Sequence, residues 1–98
     1  MKKEKKAEIV LNNGNYEEFS VSYYLLEDSA KGLYGVSVEK ESPFSHVEFE
    51  ELETISDSKE KALRILEYMA AYEVTPISFF DSIDGIIELE EEESDKNL

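Results

Sequence analysis

The hydrophobic pattern of this chain changes period once, near residue 57, and that change dictates the class of fold. Before it, "EFSVSY" and "LYGVSVEKE" alternate apolar with polar, the period of a half-buried strand. After it, "KEKALRILEYMAAYE" repeats at the spacing of an amphipathic helix, with Ala62, Leu63, Ile65, Leu66, Met69, Ala70 and Tyr72 on one broad face. A strand-rich half followed by a helical half implies an α+β domain in which helices cover one face of an antiparallel sheet.

Four strand segments precede the change. "EIVLN" and "YEEFSVSYYLLED" flank Asn13-Gly14, and a three-residue loop over 13–15 pairs Ile9 with Phe19 and Leu11 with Glu17. That register keeps Ile9, Phe19, Val21, Tyr23 and Leu25 on one side. "SAKG" turns the chain into the third strand, where Tyr34, Val36 and Val38 point inward. "SPFS" turns it into the fourth, "HVEFEEL". If Glu41 faces His46, then Val38 meets Phe49, Lys40 meets Val47 and Glu39 meets Glu48. Val47 and Phe49 then lie in the core, while Glu39, Glu41, His46, Glu48 and Glu50 face water.

In the helical half, Asp57 with Glu60 resembles a capping box. Thr75 followed by Pro76 marks the start of a second helix, with Ile77, Phe80, Ile83, Ile87 and Ile86 at helical spacing. Asp81, Asp84 and Glu88 fall on its polar side, and Gly85 marks a weak point or a close approach. The expected architecture is a four-stranded antiparallel meander followed by two helices packed on one face, ββββαα. A single domain spans 7–89, between a basic unpacked segment (1–6) and an acidic unpacked tail (90–98).

With 98 residues, no Cys and one His, disulfides, thiolate metal sites and Cys nucleophiles are excluded. The sequence carries no phosphate loop and no Gly-rich dinucleotide turn, and its only Arg is Arg64. An enzyme is not expected, and no cofactor is implied. The net charge of −14 opposes direct binding to nucleic acid or to anionic lipid, since both bind through Lys and Arg. No segment reads as a membrane span or a signal peptide, so a soluble cytoplasmic protein is expected.

The candidate site is an interaction surface. In "VSYYLLED" both faces turn apolar, so Tyr24 and Leu26 need a cover from a loop, a helix or a partner. Phe44 at a turn tip and the opposed pair Glu39 and Glu48 extend that surface. The expectation is a non-enzymatic interaction or regulatory module that meets a basic protein, or a second copy of itself through a sheet edge. An acidic mimic filling a nucleic-acid-binding protein's groove, or a weak Ca²⁺ or Mg²⁺ binder built on Glu39, Glu41, Glu48 and Glu50, are the alternatives.

Over roughly 16–88, "VSYYLLED", "LYGVSVEKE", "ETIS" and "EVTPISFFDSIDGII" together resemble an uncharacterised family of small proteins from clostridia and related Firmicutes. The resemblance implies an intracellular bacterial protein and supplies no catalytic residues. In that family a His often stands at the position of Ser78 and an acid at that of Gly85, and this chain has neither.

Overall fold

A computed structural model describes residues 1–12, 14, 17–43 and 45–96, with side chains at all of these except 45, 46 and 94–96. Four strands come first: β1 (Lys2–Asn12), β2 (Glu18–Asp28), β3 (Leu33–Ser42) and β4 (Ser45–Ser56). They form one open antiparallel sheet in the order β1-β2-β3-β4. Helix α1 (Lys59–Ala71), a 3₁₀ turn (Pro76–Ser78) and helix α2 (Phe79–Lys96) follow. The meander and two helices are the expected α+β arrangement.

Both ends differ from expectation. Segment 1–6 is the first half of β1, with Lys2 opposite Glu27 and Lys5 opposite Tyr24, and α2 runs to Lys96. In β1 the charges offset one another along the strand: Glu4 lies 2.8 Å from Lys6 and 3.7 Å from Lys2, and Lys5 lies 3.3 Å from Glu8. In α2 the acidic run is tied back to α1. Arg64 Nε donates to Glu90 Oε1 at 2.9 Å, and Lys61 Nζ donates to Glu91 Oε1 at 3.3 Å.

The first hairpin also differs, though without consequence for the core. Ile9 pairs with Val21 and Leu11 with Phe19, a slip of two residues from the expected register. A two-residue slip leaves every side chain on its original face. Val21, Tyr23, Leu25, Val36 and Val38 therefore build the buried side of the sheet as expected.

Helix α1 crosses that side and approaches all four strands, burying Ala62, Ile65, Leu66 and Met69. Helix α2 stacks mainly on α1 and adds Phe79, Ile83 and Ile86 to the same core. The N-cap of α1 is Ser58, one residue beyond the expected Asp57, and its side chain accepts from Lys61 N at 3.2 Å. Thr75 and Pro76 open the second helical segment as expected, with Thr75 N donating to Ser78 Oγ at 3.1 Å. Its first turn is 3₁₀, however, with about three residues per turn rather than 3.6. The apolar stripe is thereby rotated. Phe79 is buried, whereas Ile77 (90% exposed) and Phe80 (54%) face out, contrary to the inward positions that uniform helical spacing gives them.

Helix α1 ends in a Schellman arrangement. Val74 N donates to Met69 O at 2.9 Å and Glu73 N to Ala70 O at 3.1 Å, with Glu73 at φ 54°. The Val74 carbonyl then accepts a 2.7 Å hydrogen bond from the hydroxyl of Tyr23, a fully buried residue of β2. Burial pushes that phenol up to about 12, and the Glu73 carboxylate acts in the same direction.

At Gly35 the sheet leaves no room for a side chain. Between Tyr34 opposite Ser56 and Val36 opposite Leu52, β4 advances four residues while β3 advances two. The surplus chain presses on β3 there. A Cβ on Gly35 would lie 2.1 Å from the Leu52 carbonyl oxygen and 2.3 Å from that of Glu53. Gly85 lies within α2 with nothing near its Cβ position, so it marks neither a break nor a close approach.

Two alanine substitutions are thus expected to act in opposite directions in urea unfolding. Gly35→Ala costs about 3 kcal/mol or more, because backbone must move, and Gly85→Ala gains about 0.5–1 kcal/mol. Tyr23→Phe leaves the Val74 carbonyl buried and unpaired, at a cost of about 1–3 kcal/mol near neutral pH. The unfolded phenol ionises near 10 and the folded one near 12, so unfolding releases a proton between those values. The Tyr23 contribution is intact below pH 10 and is lost as pH rises towards 12. The wild type should lose stability more steeply than Tyr23→Phe in that window, and parallel curves would refute this assignment.

Candidate interaction surface

The third hairpin departs most from the sequence expectation. At its tip Ser42 pairs with Ser45, as the expected register requires. By Lys40 opposite Glu48 the partners have slipped by one, since β4 has one residue more than β3 in that interval. A one-residue slip exchanges the two faces of a strand. Glu39 therefore pairs with Phe49, not with Glu48, and Val38 pairs with Glu50, not with Phe49. Glu48 and Glu50 take the helix side of β4, where the strand passes the 3₁₀ turn. Val47 and Phe49, expected in the core, lie on the opposite side, 54% and 56% exposed.

The expected site residues are accordingly dispersed. Tyr24, Leu26 and Glu39 share the sheet face away from the helices, whereas Glu48 is on the other. Phe44 and the side chain of His46 lie outside the described residues. Tyr24 is half-buried and Leu26 is buried. Lys3 of β1 reaches across β2, with its Nζ 4.5 Å from the centre of the Tyr24 ring, and forms an ion pair with Glu39. Leu26, flanked by Lys3 and Gly35 in the ladder, is only 3% exposed. Lys3 of the basic N-terminal segment thus covers part of the surface for which the sequence left a loop, a helix or a partner open.

The four carboxylates of the cation reading are split between faces, Glu39 and Glu41 on one and Glu48 and Glu50 on the other. Among the described residues no three acids or other metal ligands converge. Asp81, Asp84 and Glu88 are exposed on α2, as their spacing implies.

What remains open lies along β4, an edge of the sheet. A shallow cleft of about 450 Å³ runs beside it, lined by Val47, Glu48, Phe49, Glu50, Pro76 and Ile77. The Tyr23–Val74 hydrogen bond fixes the chain two residues before Pro76, and so helps to hold the 3₁₀ turn against this edge. The electrostatics of the two edges differ. On β1 the Lys6 hydrogen bond and charge hold the Glu4 carboxyl below its ordinary value, and each of the four lysines has a carboxylate partner. On β4, Glu48, Glu50, Glu51 and Glu53 have no ion pair among the described residues. Lys40, directly across from Glu48, instead places its Nζ 4.5 Å from the centre of the Phe19 ring.

Sequence reasoning placed Ile77 inward and named a sheet edge without assigning it to β4. The available signal was the composition of β4: from Ser45 to Ser56 it contains no Lys and no Pro, the residues that most often protect an edge strand.

No curated protein and no solved structure matches this chain. A family model described as "Family of unknown function (DUF6514)" matches residues 1–89, which takes in the sheet, α1 and most of α2's buried face, and the chain belongs to that family.

Proposed function

We propose that this chain is a non-enzymatic protein-interaction module whose contact surface is the β4 edge together with Val47, Phe49 and Ile77. One observation carries the reading. Three large apolar side chains stand more than half exposed, and all three line one cleft beside an open strand edge. A chain with net charge −14 has polar side chains in abundance for such positions. Exposed apolar surface of this kind marks contact sites more often than solvent-facing structure. A cytoplasmic setting in a clostridial or related bacterium belongs to the same reading, on the strength of the sequence resemblance.

Site-specific photo-cross-linking in the native cytoplasm tests it. A photoreactive residue at Phe49 or Ile77 should capture one discrete protein that probes at the exposed positions Lys31 and Glu60 do not. Phe49→Ser should abolish capture through Ile77, while changing unfolding stability by less than about 1 kcal/mol, because Phe49 is already half in water. The same adducts from all four positions, or capture indifferent to Phe49→Ser, would remove the proposal.

A further inference from the structure

We infer that β4 accepts a fifth strand: an extended protein segment of about five residues in which basic and apolar side chains alternate. This deepens the proposal above and rests on it, by naming the chemistry of the partner. Backbone, side chains and charge each contribute to the assignment.

The backbone sets the length. β1, at the far edge, carries Lys2, Lys3, Lys5 and Lys6 and a bulge between Lys5 and Ala7, both features that obstruct strand addition. β4 has regular pairing from Glu48, opposite Lys40, to Leu52, opposite Val36, and its register shifts on either side of that stretch. An added strand therefore finds five residues of unbroken ladder and no more.

The side chains set the pattern. Within that ladder the face away from the helices presents Phe49 and Glu51, with Val47 just beyond its end. The helix side presents Glu48, Glu50 and Leu52, with Ile77 forming the wall. Successive residues of a strand point to opposite faces. An apolar side chain of the partner thus lies against Phe49 and can reach Val47 at the end of the ladder, and the alternate side chains lie against the two glutamates. Lys or Arg suits those positions twice over. The charged head pairs with Glu48 or Glu50, and the aliphatic stem covers Ile77.

Charge also decides against the other occupants. A second copy adding through its own β4, antiparallel and centred on Phe49, would set Glu48 opposite Glu50, a like-charge pair that destabilises a ladder. Nucleic acid is repelled by the same carboxylates. A basic segment is attracted by the whole chain as well as by this edge.

The test uses the full chain and three capped pentapeptides. The first is Lys-Val-Lys-Phe-Lys. The second has the same composition in blocks, Lys-Lys-Lys-Val-Phe. The third is the first with alternate amides N-methylated, which removes ladder donors without changing charge. Calorimetry should show the alternating peptide binding roughly tenfold or more tightly than either control. Hydrogen exchange should slow at alternate amides between Glu48 and Leu52, and nowhere on β1. Glu48→Lys combined with Glu50→Lys, both at solvent-accessible positions, should reverse the preference towards Glu-Val-Glu-Phe-Glu.

Equal binding of all three peptides would reduce the effect to bulk charge and overturn the inference, as would protection on β1 or no binding at all. Self-association that protects β4 without peptide would overturn it in favour of a second copy. Cross-linking at Phe49 and Ile77 that persists after the peptides fail would leave the module reading standing and sink only strand addition. Failure of both would sink the two together.

Discussion

The helix side of this structure depends on one buried hydrogen bond, from the Tyr23 hydroxyl to the Val74 carbonyl. Tyr23 stands in the middle of β2, and Val74 follows the αL residue that ends α1, so the bond ties the sheet to the point where the chain leaves one helix for the next. A buried carbonyl at a helix end needs a partner, and a phenol with no exposure needs an acceptor. Each meets the other's requirement. That bond joins the Schellman hydrogen bonds in holding Val74, from which the chain enters the 3₁₀ turn that leaves Ile77 exposed.

The legible part of the fold was the part governed by period. Alternation through Val21, Tyr23 and Leu25, and again through Val36 and Val38, identified the buried face, and the two-residue slip of the first hairpin did not disturb it. Helical spacing in α1 found Ala62, Ile65, Leu66 and Met69 for the same reason. Legibility failed where residues per repeat changed. A 3₁₀ turn rotated Ile77 and Phe80 outward relative to Phe79, and one extra residue near the tip of β4 exchanged Val47 and Phe49 with Glu48 and Glu50. The candidate site lies where these two irregularities meet, so its residues were named in the sequence but assigned to the wrong sides.

Charge distribution shows a similar division. The sequence separates a basic beginning from an acidic remainder, and the structure uses that beginning as cover. Lys3 lies over Tyr24 and pairs with Glu39, so one acidic, aromatic stretch of the sheet is occupied from within. Long-range pairing of this kind leaves no local trace, because Lys3 and Glu39 are separated by all of β2. β4 receives no such cover among the described residues, and its glutamates remain available to something outside the chain.

Gly35 and the length of β4 are coupled. The two surplus residues of β4 fit only because β3 presents bare backbone opposite them, with the Leu52 and Glu53 carbonyls where a side chain would begin. A side chain at that position would leave no room for the surplus, since the two carbonyls already occupy its place. The glycine and the surplus thus act as one unit in this chain, and that unit sets where the straight, accessible part of the edge comes to an end.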